Sequence, residues 1–575
     1  MRTRFTPRLR RLVAGAVASV TVFGLGLSAT PVAAHPAGAA APYQITFCED
    51  HGASCTEPIK EEGQDASYYV GHDEPSALFY SNTPGSGNSN VYTLKLPSDP
   101  KNQPSQDGSG TTWNFQLHPA FWFGMAMCDN QSAPNPAGTS VPSRAGPNVP
   151  CAPDSDTNIY TDPLGGAKYI GQHPGSAFME MQFYPPSWAK WPAGNSCDPT
   201  QWCAALNIDS FSRNSNFPVG NPNRNNNLGC LAQIGGTEYV NFAFITKNGV
   251  AQAPANPKAL QSDPNQVGFT PDPVKDLFMG SGDTLTVDMH DTAAGFQVNI
   301  HDQTSGQTGS MTASVANGFG QIQFAPSPST ACNVINQPFH PMYSTSSENT
   351  RVVWAAHSYN VAFSDEIGHF EYCNVTDGNV GGNCVTAGVT DPGGVDGDDF
   401  GCFNGSQSSL VPISGCLGTD FDFDGPEYGN NWPGTGRNYG QDKKFHSTPI
   451  QFTSPLTNGV NFDRVAFETD LPAIEGYCNV LTGAGCTNPP LGPDGNPTFY
   501  PFFSTGTALT GNKKQCVWDE GGPSIKDATN NFGGSSTTAF GSLVLLDFVS
   551  SVSPTGIVSV FEDYRNIVPS NPCAA

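Results

Sequence analysis

The residues best spaced for catalysis lie in the segment "GSAFMEMQFYPPSWAKW", residues 175–191. If this segment is a strand, alternate side chains share one face, and that face carries Phe178, Glu180, Gln182 and Tyr184. A carboxylate beside an amide and aromatic rings suits a sugar, because sugar rings stack on aromatic faces and hydroxyls need polar partners. The predicted substrate-binding residues are Gln182, Tyr184, Trp122 and Trp188. The alternative is a packed aromatic core with a structural glutamate.

Glycoside hydrolysis requires a second carboxyl group near the first. The two groups lie roughly 5–5.5 Å apart when configuration is retained and roughly 6.5–9.5 Å apart when it is inverted. Glu180 is the leading member of the pair. Its partner is Asp129, Asp209 or Glu238, and nothing in the sequence selects one of them.

Two acidic clusters predict calcium as a cofactor. In "CLGTDFDFDGPEYGNN" the pattern D-x-D-x-D-G, the first half of a calcium loop, is formed by Asp420, Asp422, Asp424 and Gly425. The twelfth position of a full loop is a bidentate glutamate, and here it is Asn431. The nearby segment "GGVDGDDFGC" adds Asp396 and Asp398. Solvated acidic turns are the alternative.

Three histidines form the basis of a different hypothesis, a metal-dependent oxidase or hydrolase built on His340, His357 and His369. The segment "AAHSYNVAFSDEIGHFEYC" predicts a hairpin that turns at residues 365–367. Such a hairpin separates His357 from His369 by about 20 Å, so the two cannot share a metal. Ordinary hydrogen-bonding histidines on a wet sheet face are the simpler interpretation.

The amino-terminal residues predict export. The head "MRTRFTPRLRR" carries five arginines and no acid, and an apolar run and an Ala-rich zone follow it. This is the pattern of a secretory signal peptide, which we assign to residues 1–41. No later segment is long and apolar enough to span a bilayer, so the mature chain is predicted to be extracellular, without an integral membrane segment.

The chain contains 16 cysteines, all beyond the leader. An even count in an exported protein predicts up to eight disulfides. Proximity in the sequence favours the pairs Cys48–Cys55, Cys128–Cys151, Cys197–Cys203, Cys373–Cys384, Cys402–Cys416 and Cys478–Cys486.

The charge of the chain excludes one class of partner. It has 25 basic and 50 acidic residues, and loss of the five leader arginines leaves 20 − 50 = −30. Such a surface repels phosphate backbones, so we expect no nucleic-acid partner. A neutral polysaccharide or glycan is compatible with it.

The elements that must position these residues are strands. In "DTLTVDMHD" and "GFQVNIHD" apolar and polar residues alternate, which is typical of antiparallel strands with one wet face. We predict an all-β fold, an antiparallel β-sandwich of the jelly-roll or concanavalin-like kind with long disulfide-tied loops. A boundary near residues 326–332 suggests two docked β-rich lobes, 43–330 and 331–575, the second with acidic loops. One large sandwich is the alternative.

Two stretches carry resemblances. "HPMYSTSSENTRVVWAAHSYNVAFSDEIGHFEYC" and "VAFETDLPAIE" resemble a group of large secreted proteins from actinobacteria and some fungi, over nearly all of the mature chain. This resemblance implies export and no particular activity. "RVAFETDLPAIEG" also resembles, over a few residues, the E-x-D-x-x-E strand of concanavalin-like glucanases through Glu468 and Asp470. The third acid of that motif falls at Ala473, so the catalytic roles are not transferred.

Three functions follow from these observations. The first is a glycoside hydrolase that uses paired carboxyl groups, with Glu180 as the leading member. The second is a non-catalytic glycan-binding or cell-surface protein that uses the same aromatic residues. The third is the metal-dependent enzyme built on the histidines.

Overall fold

A computed structural model describes a set of ranges along the chain. These are residues 76–81, 83, 85–98, 121–132, 176–184, 186, 197–198, 200–212, 221–341, 354–358, 373–376, 384–387, 450–474, 498–499, 503–507, 514–520, 534–535, 542–553, 556–568 and 570–574. The predicted calcium ligands Asp396, Asp398, Asp420, Asp422 and Asp424 lie outside them, as do Trp188 and His369.

The described ranges form strands with few helices. The strands are β1 (Ser76–Tyr80), β2 (Ser89–Lys95), β3 (Phe121–Cys128), β4 (Ser176–Tyr184), β5 (Gln201–Phe211), β6 (Glu238–Phe244), β7 (Met279–Gly280), β8 (Thr284–Thr292), β9 (Gly295–Asp302), β10 (Thr308–Thr312), β11 (Gly320–Ile322), β12 (Val334–Asn336), β13 (Trp354–Ser358), β14 (Cys373–Thr376), β15 (Cys384–Ala387), β16 (Gln451–Phe452), β17 (Leu456–Thr457), β18 (Val460–Asn461), β19 (Arg464–Ile474), β20 (Thr498–Phe499), β21 (Phe503–Thr507), β22 (Cys516–Glu520), β23 (Gly534–Ser535), β24 (Ser542–Ser553) and β25 (Gly556–Val568).

The helices among the described residues are short. α1 spans Leu228–Ile234 and α2 spans Pro257–Ser262, and 3-10 turns lie at Val267–Phe269 and Val315–Asn317. At 7 and 6 residues, the α-helices fall short of what crossing a membrane requires, and the described ranges hold no other candidate.

Two large antiparallel sheets contain most of the strands. The ten-stranded sheet has the order β24-β25-β19-β1-β13-β3-β4-β5-β6, with β7 paired to β5. The nine-stranded sheet has the order β10-β9-β8-β2-β16-β22-β21, and β17 joins it through β2 and carries β18. Both sheets contain strands from either side of the boundary near residue 330, so the two predicted lobes pair with each other in both sheets.

The alternation in the sequence is confirmed in the strands that it predicted. In β8 the side chains of Leu285, Val287 and Met289 are fully buried, and the residues between them are partly exposed. β9 repeats the pattern, with Val298 and Ile300 inside. A period of two arises because a pleated strand turns successive side chains to opposite faces.

The two sheets pack face to face around one core. That core combines Phe79, Phe123 and Met181 of the ten-stranded sheet with residues such as Tyr92 and Val287 of the other. Tyr92 stacks on Phe123 at 3.9 Å between ring centroids. The fold is therefore an all-β sandwich, and its core lies between the sheets.

Three disulfides lie wholly within the described ranges. Cys197–Cys203 is confirmed as predicted. The other two, Cys230–Cys332 and Cys516–Cys573, join cysteines 102 and 57 residues apart, and proximity in the sequence did not predict them. Cys128 is also disulfide-bonded.

Of the remaining predicted disulfides, only some of the cysteines lie in the described ranges. Cys373 and Cys384 lie on the paired strands β14 and β15. Cys151, the predicted partner of Cys128, lies outside the described residues, as do both members of the pairs Cys48–Cys55, Cys402–Cys416 and Cys478–Cys486.

Candidate functional site

β4 and β5 bring two acids and two amides onto one face of the ten-stranded sheet. In the register between these strands, Glu180 is opposite Asn207 and Phe178 is opposite Asp209. Glu180 and Asp209 are therefore diagonal neighbours, for which the separation is roughly 7–8 Å between backbones and less between side chains. This face of β4 points away from the core between the sheets, because Met179 and Met181 point into that core.

Hydrogen bonds run along β4 through every second residue. The Tyr184 hydroxyl donates to Gln182 Oε1, and Gln182 Nε2 donates to Glu180 Oε2 at 2.6 Å. On β5, Asn207 Nδ2 donates to Asp209 Oδ2 at 3.0 Å. Each acid thus receives an amide N–H from the residue two positions away on its own strand.

Glu180 and Asp209 lie close enough for each to affect the ionisation of the other. We call Glu180 and Asp209 the carboxyl pair. Each of the two carboxyl groups accepts one amide N–H from its own strand.

Burial and mutual repulsion govern the ionisation of the carboxyl pair. Burial raises the pKa of Glu180 to about 7, although hydrogen bonds from Gln182, Asp209 and Asn207 act to lower it. Burial also raises the pKa of Asp209 well above its ordinary value, and the charges of Glu180 and Glu238 raise it further. Like charges this close oppose the ionisation of both groups in a dry site.

Aromatic and apolar side chains surround the carboxyl pair. On one side the rings of Trp122 and Phe178 meet edge to face at 5.3 Å. They fill the space above Gly124, the residue opposite Glu180 on β3, where any Cβ would overlap them. This close approach requires glycine. Trp122 is packed against its neighbours and does not present a free stacking surface.

A second apolar group covers the same face beyond the amides. It contains the Cys197–Cys203 disulfide and the side chains Ala205, Phe242, Phe244, Leu260, Phe269 and Phe278, with Tyr184 packed against them. The polar face that the sequence predicted to be exposed is therefore largely buried, because both sides of β4 are covered. Tyr184 is the member of this face that stays partly exposed.

The structure separates the three acids that the sequence offered as partners of Glu180. Asp209 joins the carboxyl pair. Glu238 lies opposite Phe211 at the end of the same face, near enough for its charge to act on Asp209. Asp129 follows β3 five residues beyond Gly124, about 16 Å along the strand, where its carboxylate accepts from the N–H groups of Gln131 and Ser132.

The glucanase-like strand lies in the same sheet but apart from the carboxyl pair. Ser76 of β1 pairs with Glu468 of β19 on one side and with His357 of β13 on the other. His357 in turn pairs with Trp122 of β3. Four strand spacings separate β19 from β4, or roughly 19 Å. Glu468 is therefore too far from Glu180 for the two residues to act as a pair.

The described histidines do not converge. His340 is buried, and its Nδ1 lies 2.8 Å from Asp291 Oδ1. Pro341, the residue after His340, forms a β-bridge with Met127 of β3, and His357 pairs with Trp122 of the same strand. Met127 and Trp122 are five residues apart, so His340 and His357 are separated by about 16 Å along β3. Within the described ranges, no three His, Cys, Asp or Glu side chains are grouped to hold a metal.

Proton chemistry suits the carboxyl pair better than a cation does. Gln182 and Asn207 both present N–H groups to carboxyl oxygens, whereas calcium would require amide oxygens there. Asn207, fully buried and opposite Glu180, is the residue that the sequence analysis missed. Its signal was the pair of polar residues at alternate positions, Asn207 and Asp209, inside the apolar strand "QWCAALNIDSF".

Comparisons with protein-family models, with curated protein sequences and with solved structures find no match to this chain. The chemistry of the site therefore rests on its own geometry: an all-β sandwich in which the outer face of one sheet buries two neighbouring acids, Glu180 and Asp209.

Proposed function

We propose that this chain is an exported hydrolase of neutral polysaccharide, in which Glu180 is the nucleophile and Asp209 is the acid and base. One observation carries the proposal: Glu180 and Asp209 are buried diagonal neighbours on β4 and β5, and each affects the ionisation of the other. A retaining hydrolase needs one ionised and one protonated carboxyl group at the working pH. Two buried carboxyl groups whose pKa values are both raised, that of Glu180 to about 7, suit that need.

The spacing of the carboxyl pair favours retention of configuration. The backbones of diagonal neighbours such as Glu180 and Asp209 lie roughly 7–8 Å apart, and side chains that lean together from there approach the roughly 5–5.5 Å separation of retaining enzymes. Glu180 attacks the anomeric carbon, the glycosidic C–O bond breaks, and the leaving oxygen keeps the electron pair and takes the proton of Asp209. Water then attacks the glycosyl ester, gives a proton back to Asp209, and releases the sugar and the Glu180 carboxylate.

The charge and the polar groups of the chain support a neutral substrate. The formal net charge of −25 repels anionic polymers. The amides of Gln182 and Asn207 and the hydroxyl of Tyr184 suit sugar hydroxyls, which both donate and accept hydrogen bonds. Polysaccharide is accordingly the proposed partner.

Export is part of the proposal. Disulfides persist in oxidising compartments, and three are formed within the described ranges. The arginine-rich head and apolar run support removal of a leader. Amino-terminal sequencing of protein from culture medium is expected to begin after Ala34 or near Ala41.

The test is a screen of the purified full chain on neutral glucans, xylans, mannans and galactans, with released reducing ends as the readout. In Glu180→Gln and in Asp209→Asn the rate is expected to fall by at least about 10²–10⁴-fold, because the first variant removes the nucleophile and the second removes the acid and base. Asp276→Asn is the matched control, the same change at a buried acid outside the site, and is expected to keep the rate. Wild-type rates in both site variants, or no released reducing ends from any substrate, would refute the proposed hydrolase function.

Non-catalytic glycan binding is the second candidate. The low exposure of Glu180 and Asp209, 9% and 8%, favours it, because a base that water reaches poorly turns substrate over slowly. Retention on a glycan array without turnover, reduced in Tyr184→Ala, would support this candidate over the first.

A further inference from the structure

A second group of polar side chains lies on the outer face of the nine-stranded sheet. The registers of β8, β9 and β10 place these side chains in two rows that run across the strands. We call them the polar block, and its two rows are Asp288, Asn299 and Ser310, and His290, Gln297 and Thr312. Residues between them on the same strands, such as Met289, Val298 and Met311, point into the core. The polar block therefore faces outward, on the opposite side of the sandwich from the carboxyl pair.

Hydrogen bonds within the polar block hold its side chains in place. Asn299 Nδ2 donates to Gln297 Oε1 at 3.5 Å, and Gln297 Nε2 donates to Thr312 Oγ1 at 3.0 Å. On β8, His290 Nδ1 lies 3.3 Å from Asp288 Oδ1. Side chains that are fixed before a ligand arrives lose less conformational entropy when they bind it. The polar block is therefore organised in advance for binding.

The polar block also retains hydrogen-bonding capacity towards solvent. The side chain of Asp288 is 43% exposed and that of His290 is 31% exposed. A primary amide has two N–H groups and an oxygen with two lone pairs, so Gln297 and Asn299 can bond beyond the contacts they make with each other. A sugar hydroxyl both donates and accepts, and it can therefore bond to an amide and a carboxylate together.

The charge of this face differs from that of the chain as a whole. The outward positions of β8, β9 and β10 carry one acid, Asp288, and no Lys or Arg, whereas the formal net charge of the chain is −25. The chain repels an anionic polymer and also a second copy of itself. A cationic polymer finds a single carboxylate on this face. The occupant that fits is neutral and rich in hydroxyl groups.

The size of the polar block suits a polymer. It spans roughly 10 Å across three strands and roughly 7 Å along them. Its members include no aromatic ring, so each sugar unit is held by hydrogen bonds alone, and a long chain gains from repeated contact. We propose that the polar block is a second binding surface, which anchors neutral polysaccharide to the outer face of the nine-stranded sheet. This inference goes beyond the proposed hydrolysis and does not depend on turnover.

The test is affinity electrophoresis of the purified full chain in gels that contain a neutral glucan, xylan, mannan or galactan. The double variant Gln297→Ala with Asn299→Ala removes both amides of the polar block. We expect its dissociation constant for the retained polymer to rise by about tenfold, the effect of losing two or more hydrogen bonds. The matched control is Gln233→Ala with Asn265→Ala, which removes two exposed amides elsewhere on the surface and should leave retention unchanged.

A second double variant serves if the alanine variant folds poorly. Gln297→Thr with Asn299→Thr also removes both amides, and threonine favours strands more than alanine does. Its retention is expected to fall in the same direction. Wild-type retention of whichever double variant folds, or no retention of the wild-type protein by any neutral polymer, would overturn the inference.

Glu180→Gln separates this inference from the proposed hydrolysis. Retention of this variant should equal that of wild type, because the carboxyl pair lies on the opposite side of the sandwich. A protein that is retained through the polar block but releases no reducing ends would refute the hydrolase and support the anchor. Stronger retention by an anionic polymer such as polygalacturonate than by every neutral one would overturn the assignment to neutral polysaccharide.

Discussion

Replacement of Asp276 by asparagine tests what a buried, unpaired carboxyl does to this fold. Asp276 is fully buried. Its Oδ2 accepts from Gln252 Nε2 at 2.9 Å and from the Asp272 N–H at 2.7 Å. Its Oδ1 has no hydrogen-bond partner in the described part of the chain. The backbones of Asp276 and Thr246 form a β-bridge, and the Thr246 hydroxyl likewise has no partner among the described residues.

The sign of the effect follows from the direction of the pKa shift. Burial raises the pKa of Asp276 from 3.8 to about 7; the Asp272 N–H lowers it, the Asp272 charge raises it, and Lys275 and Lys247 lower it. The folded protein therefore keeps a proton that the unfolded chain loses above about pH 4. The stability linked to this group is fully present below about pH 4 and is lost as the pH rises towards 7.

The magnitude comes from the two pKa values. Their difference is about 3 pH units, and at about 1.36 kcal/mol each the upper bound is about 4 kcal/mol. Rotation of the Thr246 hydroxyl towards the ionised carboxylate would reduce the loss of unfolding free energy, so we expect a loss of about 2–4 kcal/mol. The asparagine side chain of the variant cannot ionise, and its amide oxygen can still accept from Gln252 and the Asp272 N–H.

The assay is urea unfolding of the full chain with its disulfides intact, followed by tryptophan fluorescence from about pH 4.5 to about pH 8. The gain in unfolding free energy of Asp276→Asn over wild type should be smallest at the acidic end, at most about 1 kcal/mol, and should rise to about 2–4 kcal/mol at the other. Thr246→Val, the control, removes the neighbouring hydroxyl but keeps the carboxyl group, so its stability should still fall as the pH rises, by at least as much as in wild type. A gain that is the same at every pH, or a loss at neutral pH, would refute the reasoning.

Three further outcomes follow from the packing. Gly124→Ala should destabilise the fold by about 1–3 kcal/mol and abolish any glycan activity, because a Cβ overlaps the ring of Trp122; a urea midpoint like that of wild type would contradict this. Replacing Cys230 and Cys332 by serine should cost about 4–5 kcal/mol, since the disulfide closes a separation of 102 residues, and an unchanged melting temperature would count against it. Tyr92→Phe should be neutral or stabilising by up to about 1 kcal/mol, because its buried hydroxyl has no partner in the described ranges; a clear loss in calorimetry would reveal a bond there.

The strands were more predictable than the site. The alternation in β4 placed Glu180, Gln182 and Tyr184 on one face, and the register confirms that face. It did not reveal that this face is buried, because covering residues such as Leu260 and Phe269 come from distant parts of the chain. Local pattern reports which side chains share a face and says nothing of what packs on it.

The cysteines show the same limit. A six-residue separation made Cys197–Cys203 predictable, because a short loop brings its ends together by itself. Cys230 and Cys332 meet only after α1 and β12 are packed against the sheet. No local feature of the sequence marks them as partners.

The sequence alone indicates a protein of antiparallel strands cross-linked by disulfides, because the period-two alternation and the number of cysteines can be read without knowing the fold. Only the tertiary structure decided which acid meets Glu180. Asp129, Asp209 and Glu238 were equal candidates along the chain, and the pairing of β4 with β5 selected Asp209. A strand's partner and register depend on contacts between residues far apart in sequence, which no local pattern records.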